Sequence, residues 1–192
     1  MPRPREFDPD EVLERATQVF WAKGFENSSL DELCAATGLG RSSLYAAFGD
    51  KRRLYLSALA RYEAGSVARI AVALESGPAR EGLRRFFDGL IEAIIAGPGR
   101  RGCFIGNCAA EMARLHPGAA ARVRASLKRI EAAFRDGLDR AQARGELPPR
   151  ADTTALARFL TASIQGLRLV GKANPDRRVL DDIASTMLHC LN

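Results

Sequence analysis

Apolar residues along the chain recur at intervals of three and four, while runs of alternating β-branched and aromatic residues bounded by turns are missing. The pattern predicts an all-helical protein of about nine helices. The first helix starts where Asp8 can cap it: Pro9 suits the first helical position, Glu11 can close a capping box, and Phe7 can staple onto Val12. Val12, Ala16, Val19 and Phe20 form its apolar face, and Gly24 is placed to end it. Ser29 and Glu32 repeat the box arrangement ahead of a second helix over 30–36. Thr37-Gly38-Leu39-Gly40 then reads as a tight turn, followed by a short helix over 41–48 with Leu44 and Phe48 on one side. A long helix over 51–75, capped by Asp50, ends at Ser76-Gly77-Pro78, and a helix over 79–96 carries a broad apolar stripe. Further helices are expected from near Gly102 to Leu115, over 119–144, over 152–172 and over 175–191.

Composition narrows the class. The chain has 192 residues, 46% of them hydrophobic, with 29 basic and 23 acidic side chains and a formal net charge of +6. Such a balance excludes disordered and collagen-like chains, and the length suffices for a substantial core without metal or disulfide staples. Four cysteines, at 34, 103, 108 and 190, show no C-x-x-C spacing, and only His116 and His189 accompany them, so no metal site is expected. Each cysteine fits a free thiol in a reducing cytosol. The N-terminus lacks the apolar core of an export signal, and the longest apolar stretch, 90–96, is interrupted by Glu92; a cytoplasmic chain without a membrane partner is expected. Paired acids and bases, nucleophile triads and phosphate loops are missing, which argues against an enzyme and against a cofactor.

A helix, a turn with two glycines and a short helix opening at Arg41 form a helix-turn-helix pattern, in which the second helix enters the major groove of DNA. The residues go further. Phe20-Trp21-Ala22-Lys23-Gly24-Phe25, Ser29-Leu30-Asp31-Glu32-Leu33 and the run from Ala36 to Lys51 closely resemble the DNA-binding domain of the tetracycline-repressor (TetR) family of bacterial regulators, over about residues 8 to 55. The resemblance implies an all-helical homodimer with a three-helix DNA reader, set here at 1–53, and a body, 54–192, that binds an effector and dimerises.

Charge placement refines the expectation. Residues 1–53 hold eight Lys/Arg against nine Asp/Glu, so binding must come from placement rather than from bulk attraction. Arg41, opening the reading helix, can meet a guanine edge with its planar fork, with Ser42 beside it. Ser43 and Tyr45 are expected on phosphates, Lys51 on a phosphate at the start of the fourth helix, and Ser28 and Ser29 on phosphates at the start of the second. Two plainer roles stay open from the residues alone: Ser29 as a cap only, Tyr45 as a packing residue only. Ala46 and Ala47 stand where many family members carry larger polar or aromatic side chains, so they can touch thymine methyls but read no hydrogen-bond edge. Arg3 and Arg5 either enter the minor groove or form a solvated arm.

In the body, Phe86, Leu90, Ile94, Cys103, Phe104, Met112, Phe134 and Phe159 are candidates to line a small-molecule effector cavity, although helical stripes look alike whether they enclose a ligand or each other. The last two helices combine small and apolar residues, Ala162, Ser163, Gly166, Val170, Leu180, Ile183 and Met187, as expected of a homodimer interface; completing one subunit's core is the alternative. The function expected is a dimeric regulator, a repressor released from a palindromic double-stranded operator by an effector. The alternative is a DNA-binding regulator with no small-molecule effector, or one switched by thiol chemistry at Cys103. Two arginines precede that residue at a helix start, which favours its thiolate. Cys108 lies about 140° further round the helix, which disfavours a disulfide between the two.

Overall fold

The structure is a computed structural model that describes residues 7–75 and 77–191. Among these, nine α-helices account for the fold: α1 (Pro9–Lys23), α2 (Leu30–Thr37), α3 (Arg41–Phe48), α4 (Lys51–Glu75), α5 (Ala79–Ile95), α6 (Phe104–Met112), α7 (Pro117–Ala143), α8 (Thr153–Ala173) and α9 (Arg177–His189). A single 3-10 turn, Pro98–Arg101, stands between α5 and α6. Sequence reasoning did not anticipate that turn. It also carried α6 on to Leu115, whereas the helix stops at Met112 and leaves Leu115 exposed.

Local signals account for most helix limits. Ser29 and Glu32 form the expected reciprocal box: the Glu32 N–H donates to Ser29 Oγ at 3.1 Å and the Ser29 N–H donates to Glu32 Oε2 at 3.0 Å. At α1 the box does not form. Asp8 accepts from the Asp10 N–H at 2.8 Å, and Glu11 pairs with Arg15 one turn on. Gly38 closes α2 at φ 74°, a left-handed conformation that a side chain resists, so α3 can turn back across α2.

Helices α1 to α3 pack around Ala16, Phe20, Leu33 and Leu44, all at most 1% exposed. The 25-residue α4 carries this unit into the rest of the molecule. Edge-to-face aromatic contacts mark the junction. Phe20 meets Tyr55 at 5.0 Å between centroids and Tyr55 meets Phe104 at 5.2 Å, so α1, α4 and α6 share one aromatic core. Behind it, α4 is fastened to α7 by a buried carboxylate. Glu63, 2% exposed, accepts from Arg122 at 2.6 Å, Arg129 at 2.9 Å and the Ser126 hydroxyl at 2.6 Å. An ionised carboxylate so enclosed is tolerable only with this degree of pairing. Among the described residues no helix is long and apolar enough to cross a membrane, and no three His, Cys, Asp or Glu side chains are grouped to hold a metal ion.

Candidate functional site

The α2–turn–α3 unit presents one face of α3 to solvent. Leu44 anchors the helix inward, while Arg41, Ser42, Ser43 and Tyr45 are exposed. Gly40 precedes α3 without a side-chain cap, so the amides of its first turn have no side-chain acceptor there. Arg41 does not hang free. Its Nη2 donates to Asp31 Oδ1 at 2.6 Å and its Nε to the same oxygen at 3.2 Å, which draws the tip of α3 onto α2. Both side chains are mostly solvated, so the pair is screened by water and opens easily. Sequence reasoning missed this partner.

At the edge of the face, the Lys51 ammonium sits 4.5 Å from the centroid of the Phe25 ring at the start of α4, with exposed Arg52 and Arg53 beside it. Ser29 is exposed, and its hydroxyl oxygen caps α2. Ser28 is a correction. It is fully buried and its hydroxyl donates to the Gly24 carbonyl at 2.6 Å, satisfying the end of α1, so it faces no ligand. The expectation for Arg3 and Arg5 falls outside the described residues.

A cavity of about 1060 Å³ opens between α1, α4, α5, the 3-10 turn and one residue of α8, Arg168. Of the eight side chains expected to line it, Phe86, Leu90 and Ile94 do. Phe86 and Leu90 stand half-buried at the edge of the α5 stripe, while Ile94, 1% exposed, shares the core with Phe87 and Ile91. The other five do not line it. Phe104 is enclosed between Tyr55 and Tyr62, at 5.2 and 5.8 Å, and Met112 and Phe134 are buried in the packing. Phe159 stands 40% exposed on α8, away from the cavity. Cys103 lines a small recess next to the cavity, with Tyr62, Phe86, Arg69 and Arg168 common to both. Sequence reasoning missed the wall made by α1, where Glu14, Thr17, Gln18 and Trp21 line the space.

The cavity's polar lining is cationic, with five arginines against one glutamate. Three of the arginines have evident partners. Arg61 donates to Glu14 at 2.7 Å, Arg85 lies 3.9 Å from Glu81, and Arg101 stacks 4.2 Å from the Trp21 centroid while donating to Gln18 Oε1 at 2.7 Å. The other two differ. Among the described residues Arg69 donates to the Ser66 hydroxyl, at 3.2 Å, and Arg168 donates to the Tyr62 hydroxyl. Burial, and then the neighbouring charge of Arg168, pull the Arg69 guanidinium below its ordinary proton affinity. Burial, followed by the nearby Cys103, pushes the Tyr62 phenol up, so it stays a neutral acceptor for Arg168.

Cavity and reader are tied together directly. Trp21 Nε1 donates to the Gly102 carbonyl at 3.1 Å, across the junction between α1 and the segment before α6. On α6, the Glu111 carboxylate accepts from the Phe25 N–H at 3.0 Å and the Glu26 N–H at 2.9 Å, gripping the turn that follows α1. Sequence reasoning found neither link.

On the outer side of α8 and α9, Phe159, Ala162, Gly166 and Leu169 are exposed and Ser163, Val170 and Ile183 half-buried. Leu180 and Met187, expected at an interface, are 0% and 4% exposed and pack inside the chain instead. Gly166 lies in mid-helix, where glycine costs about 1 kcal/mol relative to alanine. Nothing lies within 4 Å of where its Cβ would stand, so the chain's own packing does not require it. All four cysteines are free. Cys103 is buried, and burial pushes the Cys108 thiol up. Arg101, one of the two arginines that precede Cys103, is engaged by Gln18 and Trp21 of α1.

Comparison with known proteins agrees with this anatomy. The family model for bacterial regulatory proteins of the tetR family matches residues 12–58, and that for the tetracyclin repressor-like C-terminal domain matches residues 78–187. The chain is 36% identical over 194 residues to the uncharacterized HTH-type transcriptional regulator YezE of Bacillus subtilis (strain 168), covering all of both chains. It is 31% identical over 188 residues to the HTH-type transcriptional repressor ComR of Escherichia coli (strain K12), covering 97% of this chain and 90% of that protein. Among solved structures it superposes on a cysteine mutant of the TetR family regulator CifR, complexed with 26bp double-strand operator DNA. The TM-score is 0.83 and the identity 30%, covering 99% of this chain and 100% of that one. The chain belongs to the TetR family, whose members are DNA-binding transcriptional regulators rather than enzymes.

Proposed function

We propose that the chain works in the cytoplasm as a homodimeric repressor whose grip on a palindromic operator is released by a small molecule bound in the cavity. Residues 1–53 would read DNA, and 54–192 would hold the effector and the partner subunit. Arg41 is placed to meet a base edge once it leaves Asp31. Ser42 stands beside it, and Ser29, Ser43, Tyr45 and Lys51 are placed to fix the register on phosphates. The exposed strip of α8 and α9 centred on Gly166 would carry the dimer, because a missing side chain lets two helices approach closely across a two-fold axis.

One observation carries the ligand-responsive part: α1 is at once a packing helix of the reader and a wall of the cavity. A ligand that fits best with α1 displaced lowers operator affinity by its differential affinity for the two arrangements. Glu111 and Trp21 transmit that displacement to the turn before α2. The test is selection of duplexes from fragmented genomic DNA, with sedimentation analysis of the protein. A two-fold symmetric site bound by two chains supports the reading, and an asymmetric site bound by a monomer refutes it. A second reading rests on Cys103 opening onto the recess: a small electrophile reaching it would alkylate the sulfur as the thiol proton leaves to solvent, and would wedge α6. Cys103→Ser separates the two, since it abolishes an electrophile response and leaves a reversible ligand's effect intact.

A further inference from the structure

The five arginines around the cavity fall into two groups, and the difference points to the ligand. Arg61, Arg85 and Arg101 are answered by Glu14, Glu81 and the Trp21–Gln18 pair. Among the described residues no carboxylate stands within 4.0 Å, the ion-pair distance, of Arg69 or Arg168; their partners are the hydroxyls of Ser66 and Tyr62. The two like charges repel each other, which costs the ligand-free protein free energy. Beside them, Gln165 keeps both amide atoms buried, and neither meets a partner among the described residues. It lines the same recess as the two guanidiniums. Two guanidiniums gathered without a carboxylate, next to an apolar wall of Trp21, Phe86, Leu90 and Ile94, form the complement of a molecule with a negative head and an apolar body.

We infer that the cavity takes an amphipathic organic anion, a carboxylate or sulfonate whose head is held by Arg69 and Arg168 and whose apolar body lies along α1 and α5. This rests on the reading of the cavity as the effector site, and it adds the chemical class. A planar guanidinium pairs with two oxygens of such a head at once, and Tyr62 holds Arg168 in position for it. An ammonium would be repelled by the same pair. A neutral alcohol would gain the apolar contacts alone.

Trp21 is the only tryptophan of the chain and lines the cavity, so its fluorescence reports occupancy directly. The full-length protein is titrated with decanoate, with decanol, with decyltrimethylammonium and with the anionic dye 8-anilinonaphthalene-1-sulfonate. Melting temperatures are recorded in parallel. Decanoate and the dye are expected to change Trp21 emission and raise the melting temperature, with decanoate about tenfold tighter than decanol, the worth of one charge-assisted contact. The ammonium is expected not to bind. Arg69→Gln and Arg168→Gln are each expected to weaken decanoate about tenfold and to leave decanol unchanged. Should either variant fail to fold, the ranking of the four probes on the unmodified chain decides alone. Decanol or the ammonium binding as tightly as decanoate overturns the inference, and so does failure of both anions to bind in the millimolar range. Operator release is read separately, on the duplex selected as above. Bound decanoate without release refutes the effector reading and keeps the anion site; release by decanol with no response to the anions does the reverse.

Discussion

On α4, two arginine neighbourhoods lie less than two turns apart, and they have opposite fates. At Glu63, Arg122 and Arg129 arrive from α7 and find a carboxylate buried to receive them. At Arg69, six residues further, Arg168 arrives from α8, and among the described residues no carboxylate stands within ion-pair distance of either. The first arrangement closes two helices onto each other permanently, since removing one partner strands the others in a dry place. The second holds a cavity open with its charge unanswered, at a cost to the empty protein that a bound anion removes. A third case stands at the DNA face, where Arg41 and Asp31 form a solvated pair that is cheap to break. The same side chain thus serves as a bolt, as a receptor and as a probe at rest, and burial together with partner decides which.

The comparison is broken most severely at the bolt. Glu63→Ala leaves Arg122 facing α4 without its acceptor. It is expected to lower stability by about 3 kcal/mol, the lower end for a buried pair because Arg129 is well solvated. The measurement is chemical denaturation, and a loss too small to resolve would show that the cluster is ornamental. Glu111→Ala comes next. It removes the acceptor of two backbone N–H groups and is expected to cost about 1–2 kcal/mol. Hydrogen exchange should speed at Phe25 and Glu26 while the α4–α7 region keeps its protection.

At the receptor the sign reverses. A base whose proton affinity falls on folding carries a penalty in the folded state at neutral pH, so Arg69→Gln is expected to raise the melting temperature of the ligand-free protein. Arg122→Gln, by contrast, should lower it; calorimetry of the two variants side by side makes the check. Asp31→Asn frees Arg41 and is expected to strengthen DNA binding only a few-fold, because the pair it removes is solvated, as read by fluorescence anisotropy.

The smallest effect is in acid. The Arg61 hydrogen bond holds Glu14, and the Arg144 hydrogen bond holds Glu146, below the usual carboxylate range. The stability they add is present above that range, around pH 4, and is lost as pH falls through their lower folded values. Replacing both by Gln should flatten the acid limb of a melting-temperature profile.

The two ends of the molecule differ in how much of them could be read from residues. The reader is coded locally: the Ser29–Glu32 box, Gly38 and the four-residue spacing of Leu44 and Phe48 act within a turn or so, and the limits of α2 and the inward face of α3 follow from them. The cavity is not local. Its lining runs from Glu14 to Arg168, and an apolar stripe does not tell whether Phe86 or Phe134 faces empty space. The rotation of each helix decides that, and tertiary packing sets the rotation. The same ambiguity put Leu180 and Met187 at an interface and Phe159 in a pocket. Partners far apart in sequence escaped for the same reason, as with Glu111 on the turn after α1 and Asp31 beneath Arg41. Ser28 looked like a donor to DNA because a serine at a helix start usually points outward; here the preceding turn uses it first.

The central claim is that α3 reads base sequence through Arg41, and the most direct test is anisotropy of Arg41→Ala against the selected duplex and a scrambled one of equal length. The account expects affinity for the selected duplex to fall about ten- to a hundredfold, the worth of one bidentate base contact, with little change on the scrambled duplex. Equal losses on both duplexes would reduce Arg41 to a phosphate contact and contradict it.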